Sequence, residues 1–333
     1  PTPENAHIRP ERWPKDLPPP SLIGTEIQKL LHSLGETMHE NFSKLDVDVI
    51  QDRWCTHETP ALFCERWDKM IEDFDSPNEP SRASGLGDVY KRQDMLSHDG
   101  LHNRAFLETI FSRAEDDEAH KLERLHHLYR MSLALFDYIC PREYGITPEQ
   151  KEHIGLLTSQ PLLQSIVQNL QVSEDVKGMC TFYFTKESHV HTLLNLLLSS
   201  HLSIIMPHMP PMDYFSSITF EVYERERPTS ATHAASSKPE RSLVISVSEG
   251  AHSSEVLFIR LDARHALTPL PSRPLTSHMD FDESISKLSS LCQKRDALDT
   301  RRGLIEGSAV YFGKPEDEEH VVPIRSRGAS ASP

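Results

Sequence analysis

In the first half of the chain the apolar positions recur at intervals of three and four. Ile23, Ile27, Leu30, Leu31, Leu34 and Met38 form one such stripe, the spacing that lines one face of an α-helix. Ser21 or Thr25 is placed to cap it. In "ETPALFCERWDKMIEDF" the stripe is Leu62, Phe63, Trp67, Met70, Ile71 and Phe74. "LHNRAFLETIFSRA" and "HKLERLHHLYRMSLALFDYICPREYG" continue the helical pattern, the second closed by Pro141 and Gly145. "TPEQKEHIGLLTSQPLLQSIVQNLQ" opens on Thr147-Pro148-Glu149 and is expected to break near Pro161. Past Lys177 and Gly178 the period shifts. "MCTFYFT" reads as a strand and is followed by a helix from about Thr192 to Leu202. Three β-runs come next, "SSITFEVYERE", "RSLVISVSEG" and "EVLFIRLD", and their short connections suggest an antiparallel meander. Helices first and a strand, helix and sheet afterwards make this an α/β or α+β chain, not a regular βαβ repeat.

Composition divides the chain further. Residues 1–20 hold seven prolines and read as an extended linker. Residues 21–313 read as one domain, with a helical part over 21–172 and a strand part over 178–262. Residues 227–240 are low in complexity and read as a flexible loop, and 314–333 as a disordered tail. One segment breaks the pattern: "SRASGLGDVYKRQ", residues 81–93. Its Gly85-Leu86-Gly87 follows no strand and precedes no capped helix, which tells against a phosphate-cradling loop. The run resembles translated sequencing-adapter DNA and reads as a plain or non-native insert.

With 50 acidic against 35 basic residues the formal charge is −15. A general nucleic-acid or anionic-membrane binder needs a positive field, so both partners are excluded. Cys55, Cys64, Cys140, Cys180 and Cys292 form no CxxC pair, and neither a disulfide framework nor a zinc knuckle is suggested. No apolar run approaches the twenty or so residues of a membrane span, the longest being interrupted by Asn195, Ser199, Ser200 and His201. A cytoplasmic protein is the simple reading. The chain lacks an initiator Met and reads as part of something longer.

Nineteen histidines make chance pairs common. "HDGLH", His98 to His102, imitates a zinc-protease helix with Asp for Glu, but Gly100 weakens the helix and no third ligand is evident. His126 and His127 are neighbours on a helical stretch and point about 100° apart, which suits a solvated face. His189 and His191 leave two geometries open. On a strand they share a face, as metal-binding pairs do. If Ser188 instead begins the next helix, His189 stands at its N-terminus, where backbone N–H groups and the dipole favour anions. "LLNLLL" follows at once, which favours the second.

"FYFTKESHVHTLLNLLL" resembles the second active-site motif of the histidine acid phosphatase superfamily, in the branch attached to diphosphoinositol pentakisphosphate kinases. "NFSKLDVDVIQDRWCTHETPALFCERWDKMIEDF", "HDGLHNRAFL", "YICPREYGIT" and "LPSRPLTSHMDF" support the likeness, which runs from about residue 21 to 291. The resemblance implies an incomplete histidine-phosphatase fold of the phosphoglycerate-mutase type, a mixed sheet flanked by helices with a helical cap. It implies a parent protein that makes diphosphoinositol phosphates with an ATP-grasp kinase domain, using ATP and Mg²⁺, and hydrolyses them through a phosphohistidine. No cofactor is expected in this part. Inositol polyphosphates and pyrophosphates are the implied ligands. The nucleophile of the superfamily lies in an Arg-His-x-x-Arg-x-Pro motif that these 333 residues lack. "RHALTP", Arg264 to Pro269, imitates it but has Thr268 in place of the second arginine. His189 matches the second catalytic histidine, and His191 is a candidate substrate ligand. The acid that usually follows is here Val190. Arg264, Arg273, Lys294, Arg295, Arg301 and Arg302 are further candidates by charge alone. Two other readings stand beside this one: a non-catalytic module that binds inositol phosphates, and a metal-dependent hydrolase built on His189 and His191.

Overall fold

A computed structural model describes residues 13–75, 84–117, 120–172, 179–206, 208–225, 240–259, 261 and 267–302. The chain falls into two compact units: residues up to 140 with the stretch 252–268, and residues 141–251 with those from 269 onward.

The first unit is helical. Helices α1 (Pro20–Lys44), α2 (Pro60–Asp75), α3 (Ser84–His102), α4 (Arg104–Ile110) and most of α5 (Glu123–Glu143) supply it. The stripe read from α1 is its buried face, with Ile23, Ile27, Leu31, Leu34 and Met38 all sealed from solvent. Phe63 and Trp67 of α2 pack with Phe106 and Phe111 in an aromatic cluster whose ring centroids lie 4.4–6.2 Å apart. Pro20, not Ser21 or Thr25, opens α1; a proline at the first helical position loses no hydrogen bond and is already at the helical φ.

Three expectations change here. Residues 13–20 are no free linker, because Trp13 and Leu17 are buried in the core. The Trp13 indole N–H donates to the Pro18 carbonyl at 2.8 Å, and its ring meets Tyr138 edge-on. Residues 84–93 are helical, the first half of α3, where a loop insert was expected. "EVLFIRLD" is no third strand. Val256–Phe258 form a 3₁₀ turn whose Val256 and Leu257 are buried in this helical unit. Gly100 admits that turn: a Cβ there would stand 2.9 Å from Leu257 Cδ2. The glycine expected to weaken α3 therefore serves its packing, and α3 runs through it to His102.

The second unit combines α6 (Pro148–Val172), α7 (Glu187–Ser199) and α8 (Phe281–Arg302) with a small sheet. α6 passes through Pro161 without ending, since Leu156, Leu162, Leu163, Ile166 and Val167 bury enough apolar surface to offset a lost hydrogen bond. β1 (Ser217–Arg225) pairs along its full length with β2 (Glu240–Ser248), from Ser217 opposite Ser248 to Arg225 opposite Glu240. The other edge of β2 carries β3 (Arg273–Pro274) and β4 (Met279–Asp280). Helices and sheet agree with the expected α/β class. The strand pairs of the described residues are antiparallel, without the parallel pairs a mixed sheet would add. "MCTFYFT" is extended but has only an isolated bridge position at Phe182, and it leaves Met179, Phe182 and Phe184 exposed. Nearly all of the expected loop at 227–240 and the whole tail at 314–333 lie outside the described residues.

Candidate functional site

The extended run through Tyr183 leads directly into α7, and His189 lies in the first turn of that helix. Lys186 is the N-cap residue, with no side-chain cap bond, and its carbonyl accepts from the His189 and Val190 amides at 3.0 and 3.3 Å. The expected start near Thr192 is thus one turn late, whereas the geometry in which Ser188 begins the helix is one residue off, since Glu187 opens it. The helix forms here because Leu193, Leu194, Leu196 and Leu197 bury themselves in the unit's core. His189 is partly exposed, and its Nδ1 lies 3.4 Å from the Ser188 hydroxyl. From α6, Ser159 reaches the His189 carbonyl at 3.0 Å and the Thr192 hydroxyl at 2.6 Å. Asn169, also on α6, holds the Tyr183 hydroxyl. None of Ser159, Asn169 and Tyr183 was marked by sequence pattern.

On a helix, residues two apart point about 200° from one another. His191 accordingly lies on the opposite side of α7. It is 1% exposed, stacked on Tyr144 at 5.1 Å, with Nε2 3.4 Å from Glu187 Oε1. One ion cannot be shared by His189 and His191 in this arrangement, and the metal-dependent hydrolase built on that pair loses its geometry. Of the basic candidates, Arg273 pairs with Glu249 and Lys294 with Glu152. Arg264 and the side chains of Arg295, Arg301 and Arg302 lie outside the described residues, so the "RHALTP" mimic is only described from Leu267 onward.

A second constellation sits in the helical unit. Asp99, fully buried, accepts from both Arg66 Nη atoms at 2.8 and 2.9 Å, from the Trp67 indole at 3.0 Å and from Asn103 at 3.0 Å. Arg66 also grips Glu58 at 2.8 and 3.0 Å, and Gln51 donates to Asn103. Burial pushes the Asp99 carboxyl up, but hydrogen bonds from His98, Arg66 and Asn103 outweigh it and hold it below the usual carboxylate range. The same Asp99 bond raises the neighbouring His98 to about 9. This network ties the loop 51–58 to the end of α3. The "HDGLH" pair meets a third donor there, because Cys55, His98 and His102 bring one ligand atom each within 4.8 Å of one another. Thiolate with two imidazoles is a donor set that holds zinc or another soft ion. Spacing alone could not reveal Cys55, which arrives on a turn where Thr56 and His57 both take positive φ. Of the His126–His127 pair, His127 is exposed as a solvated face requires, while His126 is half-buried, its Nε2 3.3 Å from Glu255 and its ring edge-on to Phe258.

An imidazole in the first turn of a helix stands where backbone N–H groups and the helix dipole favour anions. Sequence comparison defines the class: the model of the histidine phosphatase superfamily (branch 2) matches residues 23–238, and the chain belongs to that superfamily. Among curated proteins, the inositol hexakisphosphate and diphosphoinositol-pentakisphosphate kinase of Saccharomyces cerevisiae is 32% identical over 83% of this chain and 29% of its own length. The Homo sapiens inositol hexakisphosphate and diphosphoinositol-pentakisphosphate kinase 2 is 33% identical over 42% of this chain and 11% of its own. Kinase 1 of that name from Rattus norvegicus is 28% identical over 51% and 12%. The chain thus spans less than a third of the length of these relatives. No solved structure matches it. Among the described residues, no helix is long and apolar enough to cross a membrane.

Proposed function

We propose that this chain is the later part of the phosphatase-like domain of a longer inositol-polyphosphate kinase/phosphatase, in which His189 binds the phosphoryl group being transferred. The observation that carries the reading is the place of His189, in the first turn of α7 and partly exposed, where an imidazole and the helix dipole act together on an anion. The names of the relatives indicate the substrate class, inositol phosphates and their diphosphates. The parent would make the diphosphates with ATP and Mg²⁺ in a kinase domain. In the phosphatase domain, a histidine outside these residues would attack phosphorus, forming an N–P bond as the P–O anhydride bond breaks. Water would then release orthophosphate. His189 would bond the phosphoryl oxygens as charge builds on them. Because the sequence given has no Arg-His-x-x-Arg-x-Pro motif, the 333 residues alone should not turn over substrate.

Val190 refines this. Its side chain packs against the apolar core of the unit, so it places no proton donor beside His189. An alkoxide leaving group needs such a donor. A phosphate monoester, with a second pKa of about 6, leaves as a stable anion at neutral pH. The site therefore favours anhydrides over simple esters.

Release of orthophosphate from diphosphoinositol pentakisphosphate by the full-length protein is the test. His189→Ala should lower it at least ~100-fold while kinase turnover persists. Unchanged hydrolysis overturns the role of His189, and turnover by the 333-residue chain alone overturns the division of catalytic groups. Binding without any turnover in the full-length protein would favour the non-catalytic module instead. Faster hydrolysis of alkyl phosphates than of the diphosphate would sink the account of Val190.

A further inference from the structure

We infer that Ser159 is a positioning residue for His189, an inference that rests on the role just given to His189. α7 starts without a side-chain cap, and an uncapped first turn frays. Ser159 steadies that turn from outside in another way, through a carbonyl of the turn and not through the N–H groups a cap would serve. It is fully buried on α6 and contacts the His189 carbonyl at 3.0 Å and the Thr192 hydroxyl at 2.6 Å. Thr192, equally buried, reaches the Ser188 carbonyl at 2.7 Å.

Two hydroxyl protons serve these three contacts. Ser159 donates to His189 while Thr192 donates to Ser159, or Thr192 donates to Ser188 while Ser159 donates to Thr192. The first fastens the His189 carbonyl to α6 directly; in the second Ser159 holds the Thr192 hydroxyl, whose own bond to the Ser188 carbonyl stays within α7, and at 0% exposure no water can replace a lost partner. One turn earlier on α6, Gly155 lets the helices approach: a Cβ there would lie 2.8 Å from Leu196 and 3.1 Å from the Thr192 carbonyl. The Asn169–Tyr183 bond holds the run that enters α7 to the same helix. The axial position and rotation of the first turn, and with them the stand of the imidazole, are thus set by α6.

Steady-state hydrolysis of diphosphoinositol pentakisphosphate by the full-length protein decides the matter. Ser159→Ala should lower kcat about 10–100-fold, the scale of a catalytic group displaced by about 1 Å, with KM changed less than about twofold. Thr192→Val should do the same, the double variant should lose little more, and Thr192→Ser should recover most of what Thr192→Val loses. In a His189→Ala background, Ser159→Ala should have no further effect. A kcat within about twofold of the parent in a Ser159→Ala protein that melts normally overturns the inference, as does a loss that persists undiminished in the His189→Ala background. If His189→Ala itself leaves hydrolysis unchanged, the underlying assignment falls as well. An intact effect of His189→Ala beside a silent Ser159→Ala removes only the positioning role.

Discussion

Asp99→Asn is the sharpest perturbation of the helical unit. Each carboxylate oxygen of Asp99 receives two donors within 3.0 Å, Arg66 Nη1 and the Trp67 indole on Oδ2, Arg66 Nη2 and Asn103 on Oδ1, with His98 Nδ1 farther off at 3.6 Å from Oδ1. An asparagine keeps one of those oxygens. Whichever way its amide turns, an NH₂ group faces two N–H donors, one of them from the guanidinium. Leaving a buried donor without an acceptor costs about 1–3 kcal/mol, and breaking a buried ion pair by removing one charge costs about 3–5 kcal/mol. Arg66 retains its two bonds to Glu58, so the lower end applies, about 3 kcal/mol. For a unit of this size that is a fall of roughly 6–12 °C in Tm. Urea unfolding followed by tryptophan fluorescence is the assay, because all three tryptophans, Trp13, Trp54 and Trp67, lie in this unit. The exposed Lys69–Asp73 pair provides the control, and Asp73→Asn should cost less than about 0.5 kcal/mol. A loss below about 1 kcal/mol in Asp99→Asn would refute the claim that this carboxylate organises the loop and the end of α3.

Trp13→Ala should destabilise the helical unit by about 3–4 kcal/mol in the same urea titration, read by circular dichroism; a neutral result would return residues 13–20 to the status of a linker. Gly155→Ala gains helix propensity but forces a methyl against Leu196 and the Thr192 backbone, so a net loss of about 1–2 kcal/mol is expected in thermal melting of the chain. A gain in stability would mean that α6 and α7 do not meet as described. Burial, reinforced by Asp68, pushes the Cys64 thiol up to about 11. At pH 8 its thiolate fraction is then about two orders of magnitude below that of an ordinary cysteine, and iodoacetamide mapped by mass spectrometry should label exposed Cys180 long before Cys64. As pH rises toward 11 the gap should close; equal labelling at pH 8 contradicts the assigned environment.

Sequence pattern revealed helices wherever one face is apolar and the period runs uninterrupted. The stripe of α1 is buried almost residue for residue, because nothing except that face decides how the helix lies. The misreadings share a cause, which is that the deciding partner lies far away in sequence. Trp13 and Leu17 sit among prolines, whose local preference is extended, and only Tyr138 and the rest of the core show that the segment is docked. "EVLFIRLD" has the composition of a strand, yet a short apolar run fits a strand and a buried turn equally well. What settles it is the space left by Gly100 on α3. Gly100 was itself read as a helix weakener for the same reason: its missing side chain has no meaning until Leu257 is beside it.

The histidine pair shows how a single backbone choice sets the chemistry. Two imidazoles at i and i+2 converge on one ligand in a strand and diverge in a helix, so the local conformation separates metal binding from anion binding before any partner is considered. Glu187 to Val190 carries no decisive local signal, and Lys186 provides no side-chain cap. The helix is selected downstream, by four leucines that must be buried, and laterally, by hydroxyls of Ser159 and Thr192 that bond each other and first-turn carbonyls in a dry interface. The leucines were legible as an apolar run. Ser159 was not, because a serine inside a helical stripe looks like a tolerated polar residue until the carbonyl it serves is known. The orientation of His189 is therefore a property of α6 as much as of the motif that contains it.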